Sequence, residues 1–246
     1  MDNIQTKAPD TDDLDKPLSI WMFLFLPIYV IAIMQVFLLP IAGTWHWLEA
    51  WLFSVTVSVH MTIWNLIINQ GNPRVLRNRM KTKKEGLSAV TKKSAGSDRW
   101  VMPVMALGFF GAMILPAFNI RYGWTEIPFG LEMVGLVVMN LGVALIQLAM
   151  LQNAFASKIL DINKDQKLVD TGLYGIIRHP IYAGGILMAL GTPIALGHWP
   201  SLGIAAIAAL TMIVRIPFEE DMLLKGMAGY AEYKERVKFR LFPGIY

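Results

Sequence analysis

Long apolar runs alternate with short polar segments along this chain, and the alternation sets out its architecture before any single residue is considered. Leu18 to Leu39 is uncharged and long enough to cross a bilayer, which takes about 20 residues. Pro27 falls inside it, and Pro40 to Trp47 reads as a tight turn whose Trp45 and Trp47 suit the membrane interface. Ala50 to Ile68 returns across the membrane, carrying His60 and Asn65. Trp100 to Phe118 and Met133 to Leu151 are two further spans, joined through Arg121, Glu126 and Pro128. Ile181 to Leu196 and Leu202 to Val214 are shorter arms, with Gly197, His198, Trp199 and Pro200 between them. At 1.5 Å per residue the first arm covers roughly 24 Å against a hydrocarbon core of about 30 Å. The pair reads as a tight helical hairpin, and its small residues, Gly184, Gly185 and Gly191 among them, allow close packing on neighbouring helices. Its two polar ends then lie at one membrane face. No stretch keeps the period of a strand long enough to build a sheet. The expected fold class is all-α, a multi-pass transmembrane helix bundle of about 5–6 spans.

The polar segments assign the sides. Residues 1–17 are acid-rich with little to bury and read as a mobile tail. They have the wrong character for the start of a cleavable signal peptide. Residues 69–99 hold nine Lys and Arg, from Arg74 to Arg99, against Glu85 and Asp98. A basic loop of that length between spans is cytoplasmic by the positive-inside rule, with anionic headgroups as a second partner. The segment NPRVLRNRM, Asn72 to Met80, is a candidate start of an interfacial helix. Gln152 to Gln166 belongs to the same side. So does Phe218 to Arg240, where Leu223, Met227, Tyr230, Tyr233 and Val237 recur at helical spacing among charges and suggest an amphipathic helix on the cytoplasmic face. Six crossings would leave both termini cytoplasmic. The whole reads as one domain, with N-terminal spans over 18–151 and a C-terminal cofactor-binding region over 152–246.

Composition narrows the choice of function. The chain is 55% hydrophobic and 16% charged, where soluble domains carry about 25% charged residues. The absence of cysteine excludes disulfides, thiolate metal sites and cysteine nucleophiles. The four histidines are widely spaced and form no zinc pattern, so no metal is expected. A net charge of +4 does not point to nucleic acid, because the basic residues flank apolar spans. Inside the spans, His60 reads more simply as bonded to a neighbouring helix than as a site. Asn140 and Gln147, seven positions apart, share a helix face and suit either a polar pocket or helix-to-helix bonds.

The chemistry gathers at the hairpin's polar ends. Leu168 to Gly185, LVDTGLYGIIRHPIYAGG, sets Arg178, His179 and Pro180 at the mouth of an apolar arm. Gly172 and Gly175 let backbone approach a ligand, and Pro180 suits a first helical turn. The N–H groups of that turn can receive a carboxylate or an adenine edge. Across the hairpin, Arg215 and Glu219 stand four residues apart on one face. A planar guanidinium suits a carboxylate, and a glutamate suits an ammonium or ribose hydroxyls. Taken singly, these charges also read as juxtamembrane anchors paired with one another. Two clusters brought together by one hairpin favour a site for a zwitterionic, nucleotide-like cofactor and an anionic or lipidic acceptor.

With those residues in place the chain resembles the integral membrane methyltransferases related to isoprenylcysteine carboxyl methyltransferase and the phospholipid methyltransferases. The resemblance covers Leu168 to Tyr246 and rests on LVDTGLYGIIRHPIYAGG, on RIPFEEDMLL from Arg215, and on the ending GYAEYKERVKFRLFPGIY. NPRVLRNRM is similar to a segment of the bacterial branch, which implies a bacterial inner membrane. The resemblance implies S-adenosyl-L-methionine as cofactor, with S-adenosyl-L-homocysteine as product, enclosed at the cytoplasmic face while the acceptor enters from the bilayer. It implies that Leu168, Val169, Tyr174, His179, Pro180, Ile181 and Tyr182 contact the cofactor, that Glu219 binds it and that Arg215 orients the acceptor. Leu173 stands where the family commonly has Pro, and Gly175 where it has an aromatic or basic residue.

Methyl transfer from a sulfonium is an in-line displacement that needs alignment more than acid–base help when the acceptor is an anion. An amine or alcohol acceptor needs a base, for which His179 and Glu220 are the candidates. The acceptor class stays open among a prenylcysteine carboxylate, a small thiol, a fatty acid and an aminolipid. A membrane sterol reductase using NADPH, which carries a similar RHPxYxG stretch, is the alternative activity. A non-catalytic membrane module is the third reading.

Overall fold

The computed structural model describes residues 16–77, 98–153 and 168–245. Four long helices come first: α1 Ile20–Ala42, α2 Leu48–Gly71, α3 Asp98–Tyr122 and α4 Phe129–Gln152. The hairpin follows as α5 Pro180–Ala195 and α6 Leu202–Gly226, and a short α7, Tyr230–Arg236, ends the helical part. Residues 73–77 open a further helical turn. The remainder of the segment ending at Met80, the acidic tail before Lys16 and most of the 152–166 stretch lie outside the described residues. α1 to α4 and the stretch Trp199–Gly226 are each long and apolar enough to cross a membrane. Their outer faces expose large apolar side chains, including Trp21, Phe25, Val36, Leu107 and Leu141, as lipid-facing surfaces do. The protein is an all-helical, multi-pass integral membrane protein.

Polar bonds and glycines hold the helices together. Gln35 of α1 donates to Ala50 O at 3.0 Å and Ser54 Oγ at 2.6 Å on α2, the interhelical bonding that replaces the hydrophobic effect inside lipid. His60 Nδ1 lies 3.0 Å from Asn140 Oδ1 on α4, so this histidine is bonded to its neighbour helix. Gln147, on the same α4 face, is buried. α4 and α5 touch backbone to backbone. A Cβ added at Gly142 would sit 2.5 Å from Gly184 O, and one at Gly191 would sit 2.6 Å from Met139 N. α6 meets α3 in the same way, through Gly108 against Ala208. At the hairpin's far turn, Asn119 Nδ2 donates to Gly197 O at 3.3 Å. The small residues therefore press the hairpin against α3 and α4.

Two boundaries depart from the sequence reading. The second arm does not end at Val214: α6 continues to Gly226 with Pro217 inside it. Its charges do not end the helix, because Arg215 and Glu220 are met by partners on other elements and stay buried. Nor is 218–240 one amphipathic helix. The chain breaks between Gly226 and Tyr230, where Gly229 adopts φ +79°, a left-handed conformation that glycine takes without penalty. Only the seven residues of α7 form a separate helix.

Candidate functional site

The hairpin brings its polar ends together at the face where α3 begins and α4 ends. Residues 168–170 are irregular, Thr171 is extended, Gly172–Gly175 makes a single 3-10 turn, and α5 starts at Pro180. Proline there gives up an N–H that has no intrahelical partner. Gly172 takes φ +62°, and a Cβ on it would lie 2.6 Å from Gln152 Nε2 at the end of α4. That close approach lets Gln152 Oε1 accept from Leu173 N at 2.9 Å. The leucine standing in the proline position thus supplies a donor that proline lacks. From the other side, Tyr233 of α7 donates to Tyr174 O at 2.8 Å, and Arg236 pairs with Asp170.

The C-terminal strand of chain closes the mouth. Arg178 N and His179 N donate to Phe239 O at 3.0 Å and Arg240 O at 2.9 Å, around an isolated parallel bridge between Ile177 and Phe239. Arg178 also sends Nη1 to Val237 O at 2.6 Å and Lys238 O at 2.9 Å.

Two ionic groups result, and the adjacent glutamates divide between them. Glu220 is 2% exposed and receives Arg178 Nε at 2.7 Å on Oε1 and Arg240 Nη2 at 3.2 Å on Oε2. His179 Nε2 lies 3.3 Å and Lys234 Nζ 3.8 Å from it. So enclosed by cations, Glu220 acts as the tie that binds α5, α6 and the C-terminal segment, and His179 is turned toward it. Glu219 is only half-buried and accepts the Tyr182 hydroxyl. Tyr182 in turn accepts Arg215 Nη1 at 2.6 Å, and its ring stacks on His179 at 5.5 Å between centroids, 6° from parallel.

Arg215 has a partner that the sequence reading missed. Its Nε and Nη2 donate to Asp98 Oδ1 and Oδ2, each at 2.9 Å, with both residues buried. Asp98 is the first residue of α3. The available signal was an acid at the junction of a basic loop and an apolar span, a position favoured at a helix N-terminus. Of the expected site residues, His179, Tyr182, Arg215, Glu219 and Glu220 are joined by hydrogen bonds and stacking, while Tyr174 is tied to α7 through Tyr233 and Pro180 opens α5. Leu168 joins them by packing on Tyr230 and Tyr233, and Val169 is half-buried beside it. Ile181 instead packs toward Phe23, Ile68 and Met150 on the α1, α2 and α4 side.

Known proteins are similar to parts of this chain. Residues 131–228 match the family model described as phospholipid methyltransferase. The protein-S-isoprenylcysteine O-methyltransferase of Schizosaccharomyces pombe is 35% identical over 77 residues, 30% of this chain and 33% of that protein. The Delta(14)-sterol reductase TM7SF2 of Mus musculus is 32% identical over 84 residues, 33% of this chain and 20% of that protein. A solved structure of the eukaryotic intramembrane Ras methyltransferase ICMT aligns over 92% of this chain and 85% of its own, at 20% identity and a TM-score of 0.41. The chain spans a third or less of the length of these two curated relatives. The segment matched by the phospholipid methyltransferase model carries both Arg178 to Tyr182 and Arg215 to Glu220, and over that part the chain is similar to membrane methyltransferases.

Proposed function

We propose that the protein is an integral membrane methyltransferase that uses S-adenosyl-L-methionine and methylates a lipophilic or small acceptor at the cytoplasmic face. The observation that carries the reading is the division of labour between neighbouring glutamates. Glu220 is consumed by cations, while Glu219 stays half-buried and accepts the Tyr182 hydroxyl. A carboxylate of that kind fits the ammonium and sulfonium of this cofactor, and the parallel faces of His179 and Tyr182 fit beside a flat base. Leu168, Val169 and Tyr174 would complete the wall. When bound, the cofactor supplies an electrophilic methyl group: the acceptor's lone pair forms the new bond as the carbon–sulfur bond breaks, and the bonding electrons stay on sulfur.

This chain's own part is alignment and exclusion of water. Arg215 is fixed by Asp98 along its forked edge, so its influence on an acceptor falls on the Nη1 side that also reaches Tyr182. His179, held near Glu220, is the residue available to take a proton from an amine or alcohol. The basic segments of the sequence support a cytoplasmic setting for this face.

The likeness to a sterol reductase favours one other reading, a reduction using NADPH. Thermal shift of the purified chain separates the two. Stabilisation by S-adenosyl-L-homocysteine and not by NADPH is expected, and stabilisation by NADPH alone would overturn the methyltransferase reading. Membrane lipid extract incubated with methyl-labelled cofactor should then yield a labelled product by mass spectrometry.

A further inference from the structure

The motif GYAEY at 229–233 holds two tyrosines with unlike surroundings. Tyr233 is bonded to Tyr174 O at 2.8 Å and anchors α7 to the Leu168–Tyr174 turn. Tyr230 is 3% exposed, yet its hydroxyl has no hydrogen-bond partner among the described residues. Its ring is held firmly, against Tyr233 at 5.6 Å between centroids and among Leu168, Leu223 and Met227. The hydroxyl lies within electrostatic range of Glu220, Arg178 and Glu219. Burial and the nearby Glu220 push the phenol well above its ordinary range, so it stays a neutral donor at physiological pH.

A buried hydroxyl left unmet destabilises a fold, and such groups are few in folded proteins. Glu220 does not satisfy it, being engaged by Arg178, His179 and Arg240. Phenylalanine would fill the same space without the penalty. A tyrosine there, on the same apolar cluster as Leu168 and with no hydrogen-bond partner among the described residues, has a donor to offer a bound ligand.

We infer that Tyr230 is a ligand-binding residue whose hydroxyl donates to an uncharged acceptor atom, a ribose oxygen or purine nitrogen, on the nucleoside half of the cofactor. The inference rests on the cofactor reading above and adds a residue to it. The amino-acid half is the poorer match, since an ammonium has no lone pair to offer the phenol. A carboxylate would be set close to Glu219 and Glu220, where like charges repel. Leu168, Leu223 and Met227, partly buried on the same cluster, would give a purine ring apolar surface.

The test uses the full chain in detergent, comparing wild type with Tyr230→Phe and Tyr233→Phe. S-adenosyl-L-homocysteine and 5′-methylthioadenosine, which lacks the amino-acid half, serve as ligands in calorimetric titration. Without ligand, Tyr230→Phe should melt about 2–4 °C higher, whereas Tyr233→Phe should melt lower. Tyr230→Phe should bind both ligands roughly tenfold more weakly than wild type. Unchanged affinity for both would overturn the assignment while leaving the methyltransferase reading intact. Weakening confined to S-adenosyl-L-homocysteine would overturn the nucleoside contact. A lower melting point for Tyr230→Phe would mean that the hydroxyl has a partner in the protein, which also refutes the inference. Wild-type protein that binds neither ligand would instead remove the methyltransferase reading itself.

Discussion

Asp98 and Arg215 form a two-toothed ion pair, with Nε to Oδ1 and Nη2 to Oδ2 both at 2.9 Å, between residues 117 positions apart. The pair is buried on both sides, so each charge depends on the other. Removing one partner of such a pair leaves an uncompensated charge and costs about 3–5 kcal/mol. Asp98→Ala and Arg215→Ala should therefore each melt well below wild type. The double change Asp98→Leu with Arg215→Met should lose less than the sum. Strict additivity in this cycle, read by thermal unfolding in detergent, would argue against the coupling.

Tyr182 links that pair to Glu219. Tyr182→Phe removes the link while keeping the stack on His179, and is expected to weaken S-adenosyl-L-homocysteine binding about three- to tenfold. Glu219→Ala should abolish measurable binding. Arg215→Lys keeps the charge but cannot span both Asp98 oxygens and Tyr182, so turnover should fall further than cofactor affinity. Calorimetry beside a methyl-transfer assay checks all three, and Glu219→Ala binding as tightly as wild type would remove Glu219 from the site.

The contact of α4 with α5 leaves no room for a methyl group. Gly142→Ala would drive its Cβ to 2.5 Å from both Gly184 O and Met188 N, which are backbone atoms and cannot swing aside. Overpacking of this kind costs about 1–3 kcal/mol. Gly203 of α6 has nothing within 4 Å of the added carbon, so Gly203→Ala should hold or slightly raise stability. The two melting temperatures should move apart, and equal shifts would mean that the helices separate freely.

His198 gives the outer turn a pH response. It is 4% exposed, with Nδ1 2.6 Å from Ser201 Oγ, and burial lowers its pKa from the ordinary 6.5. The unfolded chain thus takes up a proton at a higher pH than the folded chain does. The contribution of this group is fully present above about pH 7 and is lost as pH falls below 6.5 toward the depressed value. His198→Asn should flatten the acid limb of a melting-temperature profile between roughly pH 7 and 5. An unchanged profile would show that His198 does not set it.

Hydropathy exposed the hairpin because it responds to runs of apolar residues, and the runs on either side of Gly197 and Pro200 are unbroken. It also let Arg178 to Tyr182 be set against Arg215 to Glu220, because a tight hairpin has only one way to bring its ends together. Asp98 was not legible, since its partner lies on another helix and no local pattern joins them. The end of α6 was misplaced for a related reason. A charged residue looks like the end of a span when its partner cannot be seen, and Arg215 and Glu220 both have partners elsewhere. The orphaned hydroxyl of Tyr230 was beyond any sequence pattern, because Tyr230 and Tyr233 look alike in GYAEY and differ only in what surrounds them.

The length of the hairpin sets how deep the site lies. From Leu202 to Arg215, at 1.5 Å per residue, is roughly 20 Å, and a hydrocarbon core is about 30 Å thick. Measured from the hairpin's turn at Gly197, that length places Arg215 below the headgroups of the opposite face and not among them. On the proposed methyltransferase reading, an acceptor anchored by an acyl or prenyl chain would be met at the depth where its chain already holds it, without being drawn out into water. A soluble acceptor would instead have to descend past the Arg178, Lys234 and Arg240 cluster around Glu220.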